Sequence, residues 1–216
     1  MVRILRQRGH PVLLEQHLPR RGLAEHRAFL LSRSLARYVL FVDDDVWLEP
    51  DVVDRLLTAI RDLRCGFVGN FPHGASYVDD VRPETHAWYE EWRGRPQPER
   101  VRPGTPAWDR ARIHSAANLW HVTQRLDLAP GEWRAYKVAW LGACVLYDRD
   151  KLVAAGGFDF WRQVPPKHSG EDVAAQLRIL ERDGAAGIVP SGAYHLESPT
   201  TVPDRDVECY KLISLD

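Results

Sequence analysis

The run FVDDDV places Asp43, Asp44 and Asp45 directly after the apolar stretch Tyr38–Val42, and no other feature narrows the fold as much. Adjacent carboxylates repel one another unless something positive meets them. A β-branched and aromatic run that ends in acids, followed by Pro50 and a helix-like stretch, reads as a buried strand delivering its carboxylates to its C-terminal edge. Open α/β sheets hold ligands at that edge. Hard oxygens there suit Mg²⁺ or Mn²⁺, ions that bind through one or two carboxylates plus substrate phosphates. A metal-bound phosphate substrate is the first expectation, and a solvated acidic turn is the plain alternative.

Length and charge exclude several classes. The chain has 216 residues, enough for one domain with a real core, and a formal net charge of −1, which argues against a polyanion partner. Its basic residues are nearly all arginine, with Lys137, Lys151, Lys167 and Lys211 the only lysines, and they form no stripe of the kind nucleic acid demands. Cys65, Cys144 and Cys209 are far apart and in no CxxC spacing, so neither a disulfide framework nor a zinc knuckle is indicated, and a reducing compartment is expected. No run approaches the roughly 18 apolar residues of a membrane span, and the start lacks the apolar core of a signal peptide. A cytoplasmic protein follows, with a place at the membrane periphery left open.

Element types alternate through the first half. Residues 2–8 are read as the end of a helix and 12–15 as a candidate strand. Residues 23–36 place Ala24, Ala28, Leu31 and Leu35 on one helical face, and the strand Tyr38–Val42 precedes the acids. Pro50 then opens the clearest helix, striped by Val52, Val53, Leu56, Leu57, Ile60 and Leu63, and residues 65–69 form the next strand. Such alternation predicts a single α/β domain with a largely parallel sheet flanked by helices. Residues 71–137, crowded with proline, arginine and tryptophan (Trp88, Trp92, Trp108, Trp120, Trp133), keep no period. They are expected to be an irregular insertion over the active face, with a short helix at 84–93. Regularity returns with a strand at 138–147, followed by residues 148–154, the Gly156–Gly157 turn, a helix around 172–182 and a strand at 187–190.

Downstream, SGEDVAAQLRIL sets Glu171 and Asp172 at the start of a helix whose apolar positions are Val173, Leu177 and Leu180. Acids at a helix N-terminus commonly serve capping and the macrodipole. The functional alternative is a carboxylate base held by a rigid helix end, able to take a proton from a hydroxyl. His195, in SGAYHLES, follows a strand and is by itself an ordinary histidine, although imidazole is a common metal ligand.

In this order, RGLAEHRAFLLSRSLARYVLFVDDDVWLEPDVVDRLL, WLGACVLYDRDKLVAAGGFDFW, SGEDVAAQLRIL and the histidine resemble the inverting nucleotide-sugar glycosyltransferases of the GT-A fold, family 2. The resemblance runs from about Gly22 to His195. It implies a GT-A-like sheet, a nucleotide-sugar donor, a carbohydrate or other hydroxyl-bearing acceptor, and Mn²⁺ or Mg²⁺ as cofactor. It further implies Asp43 and Asp45 as the outer acids of a DxD block that binds metal and donor, with Asp44 near the ribose or the metal's water shell and His195 as a further metal ligand. Asp172 matches the catalytic base and Glu171 an acidic neighbour that holds the acceptor. Gly156 and Gly157 fit the turn before the acceptor loop, which Phe158, Asp159 and Trp161 would line. The acceptor itself, whether polysaccharide, lipid-linked or protein, is not legible.

One departure stands out. The family's opening strand, of the type apolar-apolar-P-x-x-N, has no counterpart before Arg3, so the chain reads as starting in the following helix. Reduced stability or self-association through an exposed sheet edge is the expected consequence. Two other readings remain: a transferase domain that binds without turnover, and a DxD phosphohydrolase, for which Lys137 and Lys151 sit badly.

Overall fold

The computed structural model describes residues 9, 12–19, 21–200 and 205–215. The first helix, α1 (Leu23–Arg33), leads into strand β1 (Tyr38–Val42), the short strand β2 (Val46–Leu48), α2 (Val52–Leu63) and β3 (Phe67–Gly69). After β4 (His73–Gly74) come single-turn segments that include α3 (Pro106–Asp109), then α4 (Asn118–Leu126) and β5 (Arg134–Tyr136). The remainder is β6 (Cys144–Asp148), α5 (Arg149–Ala154), α6 (Glu171–Asp183), β7 (Ala185–Val189), β8 (Ala193–His195) and α7 (Cys209–Leu212). Among the described residues no helix is long and apolar enough to cross a membrane.

Five strands form the main sheet in the order β1-β6-β3-β7-β5, and β2-β8-β4 form a second, small one. The main sheet is mixed, which corrects the expectation of a largely parallel one: β3 and β7 pair in parallel, whereas β1/β6, β3/β6 and β5/β7 are antiparallel. The reason is the path of the chain. After β3 it crosses the far edge of the sheet as β5 and then enters β6 from the end at which β3 finishes, so β6 runs backwards between β1 and β3. β1 is consequently an edge strand, half-buried where a fully buried strand was expected.

Side chains alternate across the sheet with period 2, and both faces are covered. Val145 and Tyr147 of β6 join Phe67, Leu177 and Phe158 on one face, while Cys144 and Leu146 join Val68, Ala186 and Ile188 under α2 on the other. The α2 stripe is Val52, Leu56, Ala59, Ile60 and Leu63, whereas Val53 is 41 % exposed. Burying each large member contributes about 1.5–3 kcal/mol. α2 stops at Arg64, which turns left-handed (φ 54°).

Several boundaries differ from expectation. Residues 2–8 lie outside the described residues. Segment 12–19 forms no strand; it lies along α1, with His17 stacked on Phe29 at 4.2 Å and Glu15 2.8 Å from Arg33. α1 ends at Arg33, which leaves Leu35 92 % exposed instead of on the buried face. The strand expected at 138–147 is regular only in Cys144–Asp148, and the helix at 84–93 is a six-residue 3-10 turn, Pro83–Trp88. The 71–137 region also builds core: Val101, Ile113, Leu119, Val122 and Tyr136 pack with Leu177 and Leu180, and the Glu99 N–H donates to the Leu180 carbonyl (2.9 Å).

Candidate functional site

The acids after β1 separate into two groups. Asp43 stays in line with the strand, its N–H donating to the Ala143 carbonyl (2.9 Å), and its half-exposed carboxylate lies 3.5 Å from the Arg27 guanidinium of α1. Burial raises the Asp43 pKa; Arg27 opposes this, and Asp172, Asp45 and Asp44 add to it. Asp44 is exposed in the turn. Asp45 is carried by β2 into the small sheet, where Val46 pairs with His195, and His195 Nε2 sits 3.3 Å from Asp45 Oδ2.

His195 is held by its own turn. The Glu197 N–H donates to His195 Nδ1 (2.9 Å), so the neutral ring carries its proton on Nε2, toward Asp45. Glu197 has φ 57° and its carboxylate accepts from the Ser76 hydroxyl and backbone N–H, tying the turn to the segment after β4. A side chain at Gly74 would strike that carboxylate and displace it from Ser76.

The second group is built on α6. Glu171 is 3 % exposed and accepts from Arg27 Nε at 2.8 Å; Asp172 accepts from the Val173 N–H at 2.8 Å. Burial, then Glu171, push the Asp172 carboxyl up to about 6 against the pull of Arg27. Burial disfavours the Arg27 charge, yet Glu171, Asp172, Tyr147 and Asp43 outweigh it and hold the guanidinium above its ordinary value. A carboxylate poised near neutrality at a rigid helix end has the properties of a general base.

The expected trio Asp43, Asp45 and His195 does not close into one cage: Asp43 faces Arg27, and among the described residues no group of three or more His, Cys, Asp or Glu is placed to hold a metal ion. The Asp45 carboxylate is of the kind a hard divalent ion takes, with one oxygen turned to His195. His195 would have to move its proton to Nδ1, giving up the Glu197 bond, to ligate through Nε2. On the expected acceptor side, Phe158 does not line a loop; it is 1 % exposed and packs edge-on against Phe41 at 5.6 Å, because the left-handed Gly156 and Gly157 turn it inward. Asp159 is exposed and Trp161 is half-buried under Arg162, whose guanidinium lies 4.5 Å from the ring centroid. Gly156 borders a surface hollow of about 480 Å³ with Arg178, Glu181 and Arg182.

Three contributors were not foreseen. Arg27 falls between Ala24, Ala28 and Leu31, so a cation on a buried stripe was the available signal. His168, 4 % exposed, accepts from the Ala24 N–H through Nε2 (3.0 Å) while Nδ1 faces the Pro165 carbonyl (2.7 Å), and so caps α1 from 144 residues away. Gln176, fully buried, grips both backbone groups of Leu141 and the Tyr147 hydroxyl behind Asp172. No local pattern announces the last two.

Comparison with known proteins identifies the family. The model of the family described as Glycosyl transferase family 2 matches residues 5–114, which include Arg27 and the three acids after β1. No curated protein and no solved structure matches the chain. With half the chain under the family model, the chain belongs to glycosyl transferase family 2.

Proposed function

We propose that the chain is a metal-dependent, inverting transferase that moves a sugar from a nucleoside-diphosphate donor to an acceptor hydroxyl. What supports this is the raised Asp172 carboxyl at the start of α6, beside an acid-bearing sheet end where Asp45 and His195 meet. Asp45 would hold Mn²⁺ or Mg²⁺ with His195 beside it, and the ion would supply Lewis-acid stabilisation of the departing diphosphate. Asp172 takes the proton from the acceptor oxygen as that oxygen bonds to the anomeric carbon and the carbon–phosphate-oxygen bond breaks on the opposite face. One displacement inverts the anomeric centre and requires no covalent enzyme intermediate. Glu171 lies too deep and too firmly on Arg27 to hold the acceptor itself, so Asp159 and Trp161 are the better candidates for that contact.

Calorimetric titration with Mn²⁺ and UDP-, GDP- and dTDP-sugars tests the reading. Metal-dependent binding of one donor is expected, lost in Asp45→Ala and kept in Asp172→Asn, with turnover in the latter down by about 10²–10⁴. Binding that ignores both the metal and Asp45, or turnover that survives Asp172→Asn, refutes it.

A further inference from the structure

Resting on the reading of Asp172 as the base, we propose that Arg27 is a positioning residue for it: one guanidinium ties the Glu171–Asp172 start of α6 to the first acid after β1 and fixes where the base carboxylate stands. Two different nitrogens do this. Nε donates to Glu171 Oε1 at 2.8 Å and Nη2 reaches Asp43 Oδ1 at 3.5 Å, a span that a point-like ammonium does not reproduce. The side chain is only 15 % exposed and its guanidinium lies 5.5 Å from the Phe41 ring centroid. Its own helix is fixed in turn, because His168, just before α6 in the chain, caps the N-terminal turn of α1.

The charge balance gives the arrangement a purpose beyond holding the fold together. Around Asp172 stand Glu171 on its own helix, Asp43 just after β1, Tyr147 of β6, Cys209 of α7 and Arg27 of α1. Arg27 is the cation among them. A buried ion pair is weak support for stability, since desolvation offsets most of its attraction. Here one cation faces three acids. Removing it leaves Asp172 between two carboxylates, with only backbone N–H groups such as that of Val173 to favour its ionised form.

The test compares the full chain with Arg27→Lys and Arg27→Met, checked for native near-UV circular dichroism. The first readout needs no turnover: the Asp172 carboxyl is followed by carbon-13 NMR, assigned with Asp172→Asn. Its midpoint should rise by about one pH unit or more in Arg27→Met and less in Arg27→Lys, and a shift below about 0.3 unit in both overturns the proposal. The second readout uses whichever UDP-, GDP- or dTDP-sugar the wild type consumes with Mn²⁺. There kcat should fall about 100-fold in Arg27→Met, and nearly as far in Arg27→Lys, with the donor KM within about threefold. A raised KM at unchanged kcat makes Arg27 a donor contact and overturns the proposal. A wild type that consumes none of these donors defeats the transferase reading instead, and the titration then decides whether Arg27 governs Asp172.

Discussion

Replacing Gln176 tests how α6 is fixed to the sheet. Its amide makes three internal bonds: Oε1 accepts from the Leu141 N–H (2.7 Å), and Nε2 donates to the Leu141 carbonyl (2.7 Å) and to the Tyr147 hydroxyl (3.0 Å). Gln176 and Leu141 are both fully buried, so water cannot replace what is lost. At about 1 kcal/mol for each bond, plus a further 1–2 kcal/mol for leaving the Leu141 pair stranded, Gln176→Leu should cost about 4–5 kcal/mol. For a chain of this size that corresponds to a fall in Tm of about 10 °C. Leucine nearly fills the volume, so cavity formation contributes little, and Gln176→Ala should be worse. Urea denaturation followed by far-UV circular dichroism gives the difference. A loss below about 1 kcal/mol for Gln176→Leu would show that the amide network is incidental and that α6 is held by apolar packing alone.

Asp172 titrates higher in the fold than in the unfolded chain, so its contribution is intact at low pH and is lost as pH rises from the ordinary carboxylate value through about 6. Asp172→Asn should therefore stabilise the protein at pH 8 but not at pH 4, and equal Tm changes at both would contradict this. Burial pushes His114 down to about 3, so the unfolded chain takes up a proton that the fold refuses as pH drops below about 6.5. His114→Phe should flatten the acid side of the stability–pH curve, seen in melts between pH 6.5 and 4; an unchanged slope counts against it. A methyl at Gly187 would run into the ring and hydroxyl of Tyr136, which is fully buried and bonded to His114 (3.0 Å). Gly187→Ala should cost about 3 kcal/mol by chemical denaturation, and a cost under 1 kcal/mol would mean that the ring moves freely.

The parts of the molecule legible in the sequence are those written in local periodicity. β1 appears within its expected bounds because a β-branched run ends abruptly in acids, and α2 because its stripe recurs at helical spacing between Pro50 and the left-handed Arg64. Sheet direction was not legible: whether β6 runs with or against β1 depends on the end at which the chain returns after residue 137, and no residue in β6 encodes that. The pairing of Asp45 with His195 was foreseen as a shared site, but β2, which makes it, is three residues long and too short for any period to declare. Phe158 was misplaced because an aromatic after two glycines reads equally as a loop or as a chain turning back into the core. His168 and Gln176 act through partners 144 and 35 residues distant, and such contacts leave no mark in a window of sequence, whereas Arg27 showed only as a cation on a buried stripe.

The edge position of β1 has a consequence in time as well as in space. Register with β6, closed at one end by the Arg149 N–H on the Arg37 carbonyl and at the other by the Asp43 N–H on the Ala143 carbonyl, turns the amides of Val39, Phe41 and Asp43 inward. Those of Leu40 and Val42 face away, where among the described residues no strand pairs with them. In deuterated solvent the strand should exchange as a comb, with slow and fast amides alternating residue by residue up to the acids. Whatever docks along that rim would erase the alternation, so this one strand reports occupancy of the sheet's open side.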